Sequence, residues 1–204
     1  MNPEKMVYIL DDDVGVRKSL AWVLGSAGFQ CAVYGSASVF LNEAQVRCPS
    51  CLILDMHMPN MTGLDVLKEI RNRPDLSMPT MILSAADTVT TVVDCLKAGA
   101  CDFLEKPIDP PLLLKKVTHL IDQDTVSRAE GALRNAMQQR VDHLTDRERE
   151  VLGLLCEGNS TKQMAQKLNI SIKTVSIHRW HLMKKMQVSS ATEAIHLALS
   201  AKSA

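Results

Sequence analysis

The chain is 204 residues long and balances 23 Lys and Arg against 23 Asp and Glu, a formal net charge of zero. That length allows one large domain or two small ones. The 46% apolar content is ordinary for a globular protein, and no apolar run reaches the roughly 18 residues that span a bilayer. Met1–Lys5 shows no signal-peptide pattern, and the apolar stretch Met6–Leu10 is short and runs into three aspartates, so a cytosolic protein with no membrane partner is expected.

Met6–Leu10 (MVYIL) is the kind of nearly continuous apolar run that a strand buried on both faces requires. Val14–Ala27 places Val16, Leu20, Val23 and Leu24 at helical spacing, and Gly28 ends it. Gln30–Tyr34 is a second strand, and Ser36 is positioned to cap a helix through Val46. Cys51–Leu54 is a third strand ending at Asp55, followed by a helix over Leu64–Arg71. Thr80–Leu83 is a fourth strand ending at Ser84, followed by a helix over Val89–Ala98 that stops at Gly99. Cys101–Leu104 is a fifth strand, and a helix over Leu112–Ile121 follows Pro110-Pro111. Five such alternations predict a parallel sheet with helices on both faces. In such sheets function gathers at the carboxyl ends of the strands, near the switch point.

Residues 123–141 are polar, without a strong stop other than Gly131, and read as a largely helical linker. From residue 142 the pattern is helical throughout: Asp146–Cys156, Thr161–Leu168, Ile172–Met186 and Thr192–Leu199. The organisation expected is therefore 1–122, a linker 123–141, and an all-helical domain 142–204. Charge divides along the same lines. Residues 1–122 hold 15 acidic and 11 basic side chains, a net of −4. Residues 123–141 have a net of +1, and residues 142–204 hold 6 and 9, a net of +3. A basic C-terminal module suits a polyanionic partner.

The expected strand ends carry a specific set of groups. The first ends in Asp11-Asp12-Asp13, the third in Asp55, the fourth in Ser84, and the fifth is followed by Lys106-Pro107. Carboxylates crowded on one sheet edge repel unless a cation is present. Oxygen ligands of this kind suit Mg²⁺, which prefers a phosphate as co-ligand. A lysine and a hydroxyl beside the same point complete a phosphoryl-binding site. The chemistry implied is attack by a carboxylate on a phosphoryl donor. Asp13 reads equally well as a cap of the following helix.

The segments ILDDDVGVRKSL, CLILDMHMPNMTGLDVL, MILSAAD and GACDFLEKPI, in that order over about residues 5–121, resemble the receiver domains of two-component response regulators. The resemblance implies a flavodoxin-like sheet of order 2-1-3-4-5. It implies Asp55 as phosphoacceptor, and Mg²⁺ held by Asp12 directly, by Asp11 through a water, by Asp55 and by the backbone carbonyl of His57. Ser84 and Lys106 would each meet a phosphoryl oxygen, and the Lys106–Pro107 bond would be cis. Phe103 occupies the position of the switch aromatic: Ser84 is expected to move inward on phosphorylation and Phe103 to turn inward with it.

The C-terminal segments LTDRE, REVLGLLCEG and NSTKQMAQKLNISIKTVSIHRWHLMKKM resemble the LuxR-class helix-turn-helix of the NarL/FixJ group of response regulators, over about residues 143–200. Thr145 and Glu148 have capping-box spacing. Thr161–Leu168 is the expected first helix of the motif, Asn169-Ile170-Ser171 the turn, and Ile172–Met186 the recognition helix. Val175, Leu182, Met183 and Met186 face the core. Lys173, Thr174, Ser176, Ile177, Arg179 and Trp180 are expected to be exposed. By family position Ser176, Ile177 and Trp180 meet base edges, with Arg179 beside them, while Lys162, Lys173, Lys184 and Lys185 meet phosphates. Trp180 departs from the family, where a smaller or basic residue is usual, and it either stacks on the DNA backbone or packs between protein helices. The partners implied are a sensor histidine kinase, promoter DNA and a second copy of the chain once phosphorylated.

Six cysteines are present, and Cys48-Pro49-Ser50-Cys51 has C-x-x-C spacing at the entry to the third strand. Loop plus buried thiol is the plain reading, and redox modulation of DNA binding is the alternative. An enzyme using Asp55 as a covalent intermediate is disfavoured by a second domain that supplies no substrate pocket. A phosphorylation-independent DNA binder is disfavoured by the intact acidic set, Ser84 and Lys106.

Overall fold

The computed structural model describes residues 5–47, 49–85 and 89–202. The chain divides into two units, 1–127 and 128–204. In the first unit the strands are β1 (Met6–Leu10), β2 (Gln30–Tyr34), β3 (Ser50–Asp55), β4 (Thr80–Ser84) and β5 (Asp102–Glu105). The helices that begin in this unit are α1 (Val14–Ser26), α2 (Ala37–Glu43), α3 (Gly63–Arg71), α4 (Val89–Ala98) and α5 (Pro110–Asp142). A short 3₁₀ turn, Pro74–Leu76, had no counterpart in the apolar periodicity.

Alternation of side chains along each strand sorts the sheet into two cores. Tyr8, Leu10, Leu52, Leu54 and Ile82 meet Phe40 of α2, Val66, Leu67 and Ile70 of α3, and Cys95 of α4. Val7, Ile9, Ile53, Met81, Leu83 and Leu104 meet Leu20 and Leu24 of α1 and Leu113, Val117, Leu120 and Ile121 of α5. Each fully buried Leu, Ile or Phe contributes about 1.5–3 kcal/mol, so the unpatterned apolar strands follow from having both faces covered. All neighbouring strands are parallel, in the order β2-β1-β3-β4-β5. The reversal between β1 and β3 opens the crevice in which such sheets place their ligands.

Two local expectations are corrected. The helix that was to run to Val46 ends at Glu43, and Ala44 is extended. The buried Tyr8 hydroxyl captures the chain beyond it, donating to Gln45 O at 2.6 Å and accepting from Arg47 N at 2.8 Å. Ser36 sits at the start of α2 but makes no cap; its hydroxyl pairs with Ser38 Oγ instead. The last helix of the unit continues as one element through residues 123–141 to Asp142. Within the first unit its buried Asp124 accepts a hydrogen bond from Ser50 N at 2.9 Å.

The second unit contains α6 (Asp146–Cys156), α7 (Thr161–Leu168), α8 (Ile172–Met186) and α9 (Ala191–Lys202). Capping boxes open α6 (Thr145/Glu148) and α7 (Ser160/Gln163), and Ser171 caps α8 through Thr174 N. Val151, Leu152, Leu155, Met164, Val175, Leu182, Met186, Ala194 and Leu197 form its core, with Met183 half-buried at the margin. Asn169 closes α7 in the left-handed region (φ 52°), a conformation Asn tolerates, and so turns the chain into α8. Among the described residues no helix is long and apolar enough to cross a membrane.

Candidate functional site

Strand register builds the first site. Leu10 pairs with Leu54, Asp55 with Leu83, and Ser84 with Glu105. The next residues of β1 and β5 therefore bring Asp11 and Lys106 to the end of β3. Asp11 and Asp55 are 1% and 5% exposed, and one ammonium bridges them: Lys106 Nζ lies 2.9 Å from Asp11 Oδ2 and 2.6 Å from Asp55 Oδ1. Burial works against the charge on Lys106, but hydrogen bonds and attraction from Asp11 and Asp55 outweigh it and hold the group above the ordinary lysine range. Lys106 N also donates to Ser84 O at 2.7 Å, and the Lys106–Pro107 peptide is cis.

Backbone donors complete the frame. His57 N donates to Asp55 Oδ2 and Asp13 N to Asp11 Oδ1, each at 2.8 Å. The Asp13 carboxylate caps α1 through Gly15 N and Val16 N, which hold it below the ordinary carboxylate range. The structure therefore uses Asp13 as a cap. Among the described residues, Ser84 Oγ and Ser50 Oγ are the buried side-chain polar atoms with no hydrogen-bond partner. Ser50 is at the opposite, amino edge of the sheet. Ser84 is at the carboxyl edge beside Asp55, where a hydroxyl in want of an acceptor is suited to an incoming anionic oxygen. Phe103 pairs in register with Ile82 and packs, partly buried, against the core that contains Met56 and Cys95.

Asp12 does not join this group: its side chain is exposed. Among the described residues no three carboxylate, imidazole or thiol groups converge as a metal cluster. The donor chemistry nevertheless fits Mg²⁺. Asp11, Asp12 and Asp55 against Lys106 leave an excess of negative charge, and hard carboxylate oxygens with room for water are what that ion takes.

Two residues of this site escaped the sequence reading. Arg17 Nη1 donates to Asp11 O at 2.6 Å and steadies the acidic turn. Gly63, at the start of α3, donates its N–H to Met56 O, and a Cβ there would stand 2.7 Å from Asp55 O. The helix thus rests directly on the backbone of Asp55. The signal was the glycine after Thr62, the N-cap of α3 in a Thr62/Asp65 capping box.

The second site is the surface of α8. Lys173, Ser176, Ile177 and Trp180 are exposed, Thr174 and Arg179 are half-buried, and Lys162 is exposed on α7. Arg179 Nη1 donates to Thr161 Oγ1 at 2.5 Å. Lys184 Nζ lies 5.0 Å above the Trp180 ring. Lys185 is itself exposed, but its ammonium pairs within the domain, 2.7 Å from the buried carboxylate of Glu148. Burial pushes that carboxyl up, but hydrogen bonds from Lys185 and Thr145 prevail and hold it below the ordinary range. Trp180 is 55% exposed and touches His181 edge-on, so it does not pack in a helix interface within its unit.

The C-x-x-C pair is not brought into view as a pair, because Cys48 lies outside the described residues. Cys51 is buried; desolvation, with Asp124 and Cys31 adding to it, pushes its thiol up to about 12. A thiol so placed carries almost no reactive thiolate at neutral pH.

A parallel receiver-type sheet with an acidic, lysine-bridged edge, and a separate helix-turn-helix unit, define the class of phosphorylation-controlled DNA-binding regulators. Comparison with known proteins agrees. Residues 7–118 match the family described as "Response regulator receiver domain", and residues 142–198 match "Bacterial regulatory proteins, luxR family". The chain is 34% identical over 200 residues to the transcriptional regulatory protein FixJ of Azorhizobium caulinodans, covering 98% of this chain and 94% of that one. It is 34% identical over 192 residues to the response regulator protein TodT of Pseudomonas putida, covering 94% and 84%. Among solved structures, the response regulator StyR superposes with a TM-score of 0.84 at 33% identity, over 96% of this chain and 98% of that one. Full-length FixJ of B. japonicum superposes with a TM-score of 0.59 at 32% identity, over 98% of both. The chain belongs to the two-component response regulators that join a receiver domain to a LuxR-type helix-turn-helix, and it is a transcription regulator of the FixJ-like kind. Receiver domains in general bind Mg²⁺ at their phosphorylation site, and the domain pair implies a histidine kinase and promoter DNA as partners.

Proposed function

We propose that Asp55 is the phosphoacceptor, and that its phosphorylation promotes dimerisation and promoter binding through α8. The observation that carries this reading is the pairing of a lysine-bridged Asp55 with the fully buried Ser84 hydroxyl, which has no hydrogen-bond partner among the described residues. An Asp55 oxygen attacks phosphorus of a kinase phosphohistidine. The new O–P bond forms as the P–N bond breaks, and the electron pair returns to the imidazole nitrogen. Lys106 then turns from carboxylate to phosphoryl oxygen, and the Ser84 hydroxyl donates to another. Asp11, Asp12, Asp55 and the His57 carbonyl would hold Mg²⁺, which when bound supplies charge neutralisation at the transferring group.

Inward movement of Ser84 vacates space that Phe103 fills, which changes the surface built on α4, β5 and α5. A second copy docking there places two α8 helices on a two-fold DNA site. In the domain plan of this proposal, residues 1–122 receive the signal, 123–141 link, and 142–204 read DNA in the cytoplasm. Lys162, Lys173 and Lys184 contact phosphates, while Ser176, Ile177 and Trp180 face base edges with Thr174 and Arg179 alongside.

The test is incubation of the full chain with Mg²⁺ and a small phosphodonor, followed by intact mass, oligomeric state and DNA binding, against Asp55→Asn. One phosphoryl mass on the wild type and none on the variant is expected. A wild type that gains no mass ends the phosphoacceptor assignment. A phosphorylated chain with unchanged assembly and DNA binding ends the switching assignment alone.

A further inference from the structure

The outward face of α8, read as the face that meets base edges, is carbon at its centre. Lys173, Ile177, Trp180 and Lys184 are spaced i, i+4, i+7 and i+11, which places them along one line of the helix. Val175, Leu182 and Met186, all fully buried, lie along the opposite line. Lysines stand at the two ends of the outward line, and between them Ile177 and Trp180 are 48% and 55% exposed.

Three polar side chains of the helix that could contact a base edge, those of Thr174, Ser176 and Arg179, are engaged within the domain. Thr174 Oγ1 shares a hydrogen bond with Ser171 Oγ at 2.8 Å. Ser176 Oγ donates to Ile172 O at 3.0 Å. Arg179 is held by Thr161 Oγ1. The helix contains no Asn or Gln, so the bidentate partners of adenine are missing from it, and its single arginine, the usual partner of guanine, is turned towards α7. Trp180 is braced by Lys184 above its ring and by His181 at its edge.

In the major groove one base presents a carbon group, the C5-methyl of thymine. An isoleucine neither donates nor accepts hydrogen bonds, so that methyl is the feature of the groove floor it can distinguish. The flanking lysines match the phosphates on either side. We infer that this regulator reads a thymine in each half-site by apolar contact between Ile177 and the C5-methyl, with Trp180 walling that contact off from water. The inference rests on the reading of α8 as the DNA-contacting helix.

The experiment begins with the full chain, treated with Mg²⁺ and a small phosphodonor, selecting duplexes from a randomised pool. The enriched duplex is resynthesised with deoxyuridine replacing thymine at one position at a time, which deletes the methyl and nothing else. Burying one such carbon group corresponds to about a four-fold change in affinity per half-site. The expected result is one thymine per half-site whose replacement weakens wild-type binding about four-fold. Ile177→Ala removes the contact in both half-sites, so it should bind the thymine duplex about as weakly as the wild type binds a duplex with deoxyuridine at that position in both half-sites, and Ile177→Val should retain part of the difference. Salt-dependent binding in which no thymine methyl matters overturns the inference and leaves the DNA-binding reading standing. A methyl effect of equal size in Ile177→Ala assigns the contact elsewhere and also overturns it. Failure to enrich any duplex, with no salt-dependent binding, overturns both.

Discussion

Lys185 tests most directly what tertiary structure adds to sequence. It follows Lys184 on the recognition helix, where a second lysine suits a DNA phosphate, yet its ammonium is 2.7 Å from Glu148, whose side chain is 6% exposed. Truncation to Ala strips a nearly buried carboxylate of its cationic partner while leaving Thr145 N bound to it at 2.8 Å. The expected loss is about 1–2 kcal/mol, below that of a fully buried pair because Lys185 itself is partly exposed. For a domain of this size that lowers its melting temperature by roughly 4–8 °C per kcal/mol. Trp22 and Trp180 are the two tryptophans, one in each unit, and Trp22 is 75% exposed. A Trp22→Phe background therefore lets Trp180 fluorescence report the second unit alone. In DNA binding, each lost phosphate contact reduces the slope of log K against log salt by about 0.9. On a two-fold site each substitution removes two contacts, so Lys173→Ala and Lys184→Ala should each lower the slope by about 1.8 with little change in stability. Lys185→Ala should show the stability loss with the slope nearly unchanged. A Lys185→Ala variant that lowers the slope as Lys173→Ala does, and melts as the wild type does, would refute the assignment of Lys185 to the fold.

The same pair predicts an acid limb. Glu148 is held below its ordinary value of 4.5, so its contribution is present above that value and is lost as pH falls through the lower folded value. The midpoint of urea unfolding followed by Trp180 should therefore fall with acid in the wild type and fall less in Glu148→Gln; equal pH dependence would count against the pairing. Gly63→Ala forces a Cβ to 2.7 Å from Asp55 O, and overpacking of that kind costs about 1–3 kcal/mol. Receiver unfolding should show that loss and phosphorylation by a small donor should slow; wild-type values in both would remove the buttress role. Tyr8→Phe removes a hydroxyl bonded to both Gln45 O and Arg47 N and should cost about 1–2 kcal/mol in denaturant unfolding, against almost nothing if the loop holds itself. With its thiol raised to about 12, Cys51 should resist alkylation at neutral pH while exposed Cys101 and Cys156 react, as peptide mapping by mass would show. Rapid labelling of Cys51 in the folded protein would revive the redox alternative.

Most of the architecture was legible because its signals are local. An apolar pentapeptide that ends in aspartates, as at Met6–Leu10, marks a doubly covered strand and its polar exit without reference to any partner. Thr145 with Glu148 and the line of Val175, Leu182 and Met186 mark a helix start and a buried stripe in the same way. What was missed depended on groups distant in sequence. The early end of α2 is set by Tyr8, 37 residues away from the carbonyl it binds. The place of Gly63 is set by close approach to the backbone of Asp55, and that of Lys185 by Glu148, 37 residues away.

By itself, then, the order of residues determined the alternation of strands and helices, the acidic and hydroxyl groups at the strand ends, and the basic helix that follows them, because hydrophobic period, capping and charge are properties of neighbours. Tertiary structure decided which of those groups share a charge. It gave one ammonium to Asp11 and Asp55, left the Ser84 hydroxyl without a partner among the described residues, turned Asp12 to solvent, and bound Lys185 and Arg179 within their own domain. Coulomb and hydrogen-bond energies depend on distances of a few ångströms in a shielded site, and such distances between remote residues exist only once the chain has folded.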